Sequence, residues 1–277
     1  MSDNANNKTD KKLRVILLTH GGAELVLEKL LALENVIVVG VFVETDVVLK
    51  RSLKEKIKRS IRYDGYVSTA KKFARTVFNR NSNEEVKEAK NGQSKFSETA
   101  QSFGVPLYFV GNYHAEESIR LMKTANADLG IIYGTNIVKE TVFAIPRLGS
   151  INLHQGFAPI YRGGPAIFWE LFNGEKEIGL TVHYVAAKVD TGDIIIQNRL
   201  PLVYDFKHGA KFENFISEYS RNLKEPSAQI VTEAVRLIAE NKAQRQPQNT
   251  SKGKRYRLPT KKEKDELRRL LRNLSKK

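Results

Sequence analysis

Residues 13–43 read LRVILLTHGGAELVLEKLLALENVIVVGVFV, and this stretch decides the fold. Two apolar runs, Leu13–Thr19 and Val36–Val43, flank a segment whose leucines recur at helical spacing. Near-continuous apolar strands joined by a helix are typical of a βαβ unit in a buried parallel sheet. Gly21 and Gly22 open the helix, where free N–H groups and the helix dipole favour a phosphate, although a plain tight turn needs the same residues.

The same alternation resumes further along the chain. Three more apolar runs predict strands, and two others predict a β pair; they cover residues 106–110, 128–134 and 149–154, and then 179–185 and 193–199. Residues 135–144 are predicted to be helical. The sequence therefore predicts an α/β protein with a Rossmann-like, mostly parallel sheet flanked by helices.

Two segments interrupt or follow this pattern. Residues 46–100 are predicted to form a basic helical insertion between the second and third strands, and residues 206–277 a helical, basic C-terminal extension. Residues 1–11 are polar and predicted to be a disordered tail, which leaves residues 12–205 as the main domain. We also expect that removal of residues 250–277 spares the chemistry on a small acceptor.

The charge of the chain is concentrated in these two segments. The formal net charge is +15, and residues 49–80 hold 11 Lys or Arg against 2 acids, while residues 242–277 hold 14 against 3. Basic segments attract phosphate in nucleic acid, anionic lipid or nucleotides, but they also serve as solvated surface. The absence of Cys excludes disulfides and thiolate chemistry. The polar N-terminus and the lack of a long apolar run favour a cytoplasmic protein.

Three side chains suit acyl transfer to an amine. Asn152 and His154 lie two apart at the end of a predicted strand, so they face the same side. An amide N–H such as that of Asn152 can stabilise an oxyanion, His154 can accept the proton of the amine, and Asp190 can orient the imidazole. From spacing alone, Asn-x-His and a turn aspartate are equally compatible with structural roles. No cluster has the spacing of metal ligands, so we predict no metal.

Several motifs between Ala127 and Leu200 resemble the folate-dependent formyltransferases. They are DLGIIYG at 128–134, LGSINLH at 148–154, YRG at 161–163, GLTVHY at 179–184 and VDTGDI at 189–194. This family includes phosphoribosylglycinamide, methionyl-tRNA and amino-sugar formyltransferases. The resemblance implies that Asn152, His154 and Asp190 are catalytic and that 10-formyltetrahydrofolate is the formyl donor.

The resemblance also implies a cleft for the pterin of the donor. The residues expected to contact the donor come from two segments: Ile131, Tyr133, Gly134, Asn136, Ile137 and Val138, and then Ala187, Lys188 and Val189. Apolar walls with main-chain donors and acceptors suit a flat heteroaromatic ring. The residues expected at the acceptor are Gly21, Gly22, Arg162 and Gly163, although Arg162 can equally hold its own loop in place.

One departure from the family leaves the acceptor open. The stretch that the family usually writes as His-Pro-Ser-Leu-Leu-Pro reads HQGFAP at 154–159. The methionyl-tRNA members of this family carry a β-barrel domain after the catalytic one, whereas the residues after Asp205 look helical. A small amine, an amino sugar or sugar nucleotide, is therefore the favoured acceptor. Methionyl-tRNA, phosphoribosylglycinamide and water remain alternatives. A further alternative, from another class, is an inactive relative that binds RNA or a membrane through its basic segments.

Overall fold

A computed structural model of the protein describes residues 11–45, 60–62, 96–165, 167–202 and 212–274, and the statements that follow concern these residues. The predicted tail, apart from its last residue, lies outside them. So does most of the predicted insertion at 46–100, including its basic helical part.

Seven strands form one sheet. In chain order they are β1 (Leu13–Thr19), β2 (Val36–Glu44), β3 (Leu107–Val110), β4 (Leu129–Tyr133), β5 (Ser150–His154), β7 (Glu177–Tyr184) and β8 (Ile194–Pro201). Their spatial order is β3-β2-β1-β4-β5-β7-β8. The first five are parallel to one another, whereas β7 runs antiparallel to both β5 and β8. The prediction of a Rossmann-like, mostly parallel sheet is confirmed.

Helices cover the sheet. They are α1 (Glu24–Leu31), α2 (Glu116–Thr124), α3 (Glu140–Phe143), α4 (Phe168–Phe172), α5 (Phe212–Asn222), α6 (Lys224–Ala239) and α7 (Lys261–Leu274). Apolar side chains on alternate faces of β1 enter two different core clusters: Val15 and Leu17 pack in one, and Ile16 and Leu18 in the other. This division is why β1 reads as a near-continuous apolar run.

One segment extends the sequence prediction and another differs from it. Residues 96–102 are helical, and Phe96 and Ala100 are each 1% exposed in the main core. The last residues of the predicted insertion therefore cover the sheet just before β3. Residues 135–144 form a helix only at α3, because Gly134 takes a left-handed φ of +64° and redirects the chain into a loop over residues 134–139.

The C-terminal residues pack against the main sheet and on a second, smaller one. α6 packs on α1, and its apolar side chains belong to the main core. A short strand β6 (Tyr161–Gly163) pairs in parallel with β9 (Lys254–Tyr256), which the sequence analysis did not predict. Leu267 and Leu271 of α7 are buried beside Trp169. The domain boundary at residue 205 remains a prediction. Among the described helices, none has the length and apolar character needed to cross a membrane.

Candidate active site

The sheet brings the three predicted catalytic residues together at one edge. Asn152 and His154 end β5, where Asn152 lies opposite His183 of β7. Asp190 follows β7 in the connection to β8 and takes a left-handed φ of +52°. The C-terminal edge of parallel strands is where open α/β sheets place ligands.

A carboxylate between two imidazoles forms the centre of the site. Asp190 Oδ2 lies 3.5 Å from His154 Nδ1, and Asp190 Oδ1 lies 3.5 Å from His183 Nε2. The Gly163 N–H donates to Asp190 Oδ2 at 2.8 Å. The side chains of Asp190 and His154 are 12% and 11% exposed, so both groups lie in a poorly solvated place where electrostatic interactions are strong.

The surroundings keep Asp190 ionised. Burial raises the pKa of its carboxyl, but the contacts with the imidazoles of His183 and His154 and the hydrogen bond from the Gly163 N–H outweigh burial and lower it to about 2. Burial lowers the pKa of His154 below its usual value, although Asp190 and the Tyr161 carbonyl oppose this effect. The site therefore presents a carboxylate and a neutral imidazole at neutral pH.

Backbone carbonyls determine which ring nitrogens carry protons. His154 Nε2 lies 2.6 Å from the carbonyl oxygen of Tyr161, and His183 Nδ1 lies 2.8 Å from that of Tyr184. A carbonyl oxygen only accepts, so these two nitrogens donate. His154 Nδ1 is consequently free to accept a proton. His183 Nε2 accepts from Asn152 Nδ2 at 3.4 Å and orients the amide.

A cleft of about 260 Å³ opens beside these residues. Asn152, His183 and Asp190 form part of its wall. The predicted donor-contacting residues that line it are Gly134, Asn136, Ile137, Val138, Ala187 and Val189. Ile137 is 68% exposed, which leaves an apolar surface available to a flat ring.

Three residues predicted for this cleft lie elsewhere. Ile131 is 1% exposed in the main core, because successive residues of a strand face opposite sides and Ile132 takes the cleft side instead. Tyr133, on the same side of β4 as Ile131, lines a neighbouring pocket. Lys188 is exposed to solvent outside the cleft, and its carbonyl accepts from the Thr191 hydroxyl.

The neighbouring pocket has a volume of about 250 Å³ and shares His154 with the reacting centre. Tyr133, Gly134, Leu153, Gln155 and Gly164 complete its lining. Gln155 stands where the family usually has proline, and its Nε2 donates to Ser227 of α6 at 3.2 Å. The departure from the family motif thus lies in the wall of this pocket.

The residues predicted to contact the acceptor are dispersed. Arg162 holds its own loop, since its Nε donates to the Pro159 carbonyl and an Nη to the Thr250 carbonyl, both at 3.3 Å. Gly163 contacts Asp190 rather than the pocket wall. Gly21 and Gly22 are exposed with φ of +113° and +72°, at the end of β1 and outside both cavities.

Sequence reasoning missed two contributors. The sequence analysis did not place His183 among the site residues, whereas its Nε2 lies 3.5 Å from Asp190 Oδ1 and 3.4 Å from Asn152 Nδ2. The register of β5 against β7 places His183 opposite Asn152, and this register is set by pairing across the sheet. The sequence analysis also missed the carbonyl of Tyr161, because every residue carries such a group and only the backbone path shows where it points.

The fold and this cluster define a Rossmann-like protein with an amide, an imidazole and a carboxylate at a ligand cleft. Comparison with known proteins gives the particular family: the formyl transferase family matches residues 69–235, and the chain belongs to it. The family predicted from the motifs is thereby confirmed.

Among curated relatives, the methionyl-tRNA formyltransferase of Parabacteroides distasonis is 31% identical over 155 residues, which cover 56% of this chain and 45% of that protein. The methionyl-tRNA formyltransferase of Clostridioides difficile is 32% identical over 162 residues, or 58% of this chain and 50% of that protein. The chain therefore spans about half the length of the curated relatives it matches.

Solved structures share the fold. Phosphoribosylglycinamide formyltransferase from Anaplasma phagocytophilum superposes with a TM-score of 0.53 at 20% identity, over 83% of this chain and 89% of that one. A 4-N formyltransferase from Francisella tularensis gives a TM-score of 0.52 at 17% identity, over 89% of this chain and 76% of that one.

Proposed function

We propose that this protein transfers a formyl group from 10-formyltetrahydrofolate to a primary amine. The observation that carries the proposal is the convergence of Asn152, His154 and Asp190 between two cavities, in a chain of the formyl transferase family. The cleft lined by residues 134–138, 186, 187 and 189 would take the pterin, and the pocket beside Gln155 would take the acceptor.

Each side chain has a role that its geometry permits. The amine forms a bond to the formyl carbon, the bond to the folate nitrogen breaks, and the amine proton ends on that nitrogen. Asn152, oriented by His183, donates to the oxygen on which negative charge develops. His154 Nδ1 accepts the proton, and Asp190 stabilises the imidazolium that results.

The size of the pocket supports a small acceptor. About 250 Å³ beside His154 suits a sugar-sized amine such as an amino sugar, and the nucleotide part of a sugar nucleotide would extend beyond the pocket. Methionyl-tRNA is the second candidate, because the curated relatives described above bear that name and the chain is strongly basic. In that case the bulk of the acceptor would lie outside the pocket.

A single assay tests the proposal. The protein is incubated with 10-formyltetrahydrofolate and, in separate reactions, a nucleotide-linked amino sugar, methionyl-tRNA or phosphoribosylglycinamide. We expect tetrahydrofolate release only with an amine present, in equal amount to formylated acceptor. Release without any amine would indicate that water is the acceptor. No release with any of the three amines, together with salt-sensitive RNA retention, would favour an inactive relative that binds RNA through its basic segments.

A further inference from the structure

The strand β6 has two edges with different partners. On one edge, the Ile160 carbonyl accepts from the Lys254 N–H at 3.1 Å and the Gly164 N–H donates to the Tyr256 carbonyl at 2.9 Å. On the other edge, the Tyr161 carbonyl accepts from His154 Nε2 and the Gly163 N–H donates to Asp190 Oδ2. Successive backbone groups of a strand alternate in direction, so one short strand contacts both β9 and the catalytic pair.

Within the described residues, β9 is the only strand that pairs with β6. Side chains reinforce the pairing: the rings of Tyr161 and Tyr256 stack with centroids 5.2 Å apart, and Asn173 Nδ2 donates to both of their hydroxyls. The Trp169 indole N–H donates to the Arg257 carbonyl at 2.8 Å, just after β9. The position of β6 thus depends on residues almost 100 positions further along the chain.

We infer that β9 is a positioning element of the catalytic site, which holds β6 so that the Tyr161 carbonyl keeps the proton of neutral His154 on Nε2 and the Gly163 N–H keeps Asp190 in place. The inference rests on the proposed function for its kinetic consequence, but not for its structural one. It argues against the expectation that removal of residues 250–277 spares the chemistry, since that removal takes β9 away.

Two substitutions at one position separate the backbone from the side chain. Lys254→Pro removes the N–H that donates to Ile160, whereas Lys254→Ala keeps this N–H, removes the exposed side chain with its cation–π contact to the Tyr256 ring, and serves as the matched control. A misplacement of about 1 Å in a catalytic group typically costs about 100-fold in rate. We therefore expect about a 100-fold lower kcat for Lys254→Pro and a wild-type value for Lys254→Ala.

Two further measurements distinguish positioning from general damage. The donor cleft contains no residue of β6 or β9, and of the two catalytic groups that β6 holds only Asp190 lines it. The Kd for 10-formyltetrahydrofolate should therefore change far less than kcat in Lys254→Pro and keep its wild-type value in Lys254→Ala. In ¹⁵N-histidine NMR, wild-type His154 should show the tautomer protonated on Nε2, and this signature should be lost in Lys254→Pro. If Lys254→Pro does not fold, Tyr256→Ala replaces it, with about a tenfold lower kcat expected from loss of the stacked ring.

The outcomes are distinct. A wild-type kcat and an unchanged His154 tautomer in the folded variant would overturn the inference, as would equal losses in Lys254→Ala or a parallel loss of folate affinity. If the wild-type protein formylates no acceptor, the proposed function fails, and the NMR comparison alone still decides whether β9 sets the His154 tautomer.

Discussion

Replacing Asp190 with asparagine keeps the shape of the side chain and removes its charge. The carboxylate lies 3.5 Å from His154 Nδ1, with both side chains almost fully buried. Two unit charges at that distance attract by about 5 kcal/mol at an effective dielectric constant of about 20. Because this attraction develops only when His154 becomes protonated, Asp190→Asn should lower kcat about 1,000-fold.

The same substitution has a consequence for stability that needs no acceptor. The fold lowers the pKa of Asp190 to about 2 from its ordinary value of 3.8, and each pH unit of this difference corresponds to about 1.4 kcal/mol. A lowered pKa means that the carboxylate stabilises the fold above pH 3.8, and that this contribution is lost as the pH falls from 3.8 towards 2. Asp190→Asn should therefore reduce the free energy of unfolding by about 2 kcal/mol at pH 7.

Both effects can be measured on one pair of proteins. The rate is followed as tetrahydrofolate release with the acceptor that the panel identifies, and stability by urea unfolding at pH 7 and again at pH 3. Asp193→Asn is the control, since Asp193 lies in the same connection with a 37% exposed side chain and a 4.0 Å contact to Arg245. Wild-type turnover by Asp190→Asn, or equal losses from both substitutions, would refute the electrostatic reasoning.

Three other predictions follow from single positions. Ile137→Ser removes an apolar side chain that is 68% exposed in the free protein, so the Kd for 10-formyltetrahydrofolate, measured by titration, should rise about tenfold with an unchanged melting temperature. Burial raises the pKa of Glu170 to about 7 from 4.5, so its ionisation lowers the free energy of unfolding increasingly as the pH rises from 4.5 to 7. In urea unfolding, the free energy of unfolding of Glu170→Gln should therefore exceed that of the wild type by about 3 kcal/mol at pH 8 and by little at pH 4. Gly130→Ala should destabilise the fold by about 1–3 kcal/mol in the same assay, because the added methyl would clash with Ser150 across the β4–β5 pair. In the control Gly104→Ala, the added methyl has no atom within 4 Å, so this variant measures only the strain of a positive φ.

The parts that the sequence predicted well are those determined by local pattern. The apolar runs of β1, β2 and β4 reflect burial on both faces, and the two-residue spacing of Asn152 and His154 reflects strand geometry. Their side chains therefore lie at one edge as predicted. The helix predicted over residues 135–144 was mostly wrong, because a left-handed Gly134 turns the chain into the loop that lines the donor cleft.

The sequence by itself determined the Rossmann-like fold and, through motifs shared with the family, the family and the three side chains that meet beside the cleft. The strands and the motifs depend on residue types that lie close together in the chain. Only the tertiary structure decided which nitrogen of His154 is free, that His183 faces Asn152 and Asp190, and that β9 pairs with β6 beside them. These features arise from backbone carbonyls and amides brought together across distant parts of the chain. Every residue carries those groups, so no residue type marks them in the sequence.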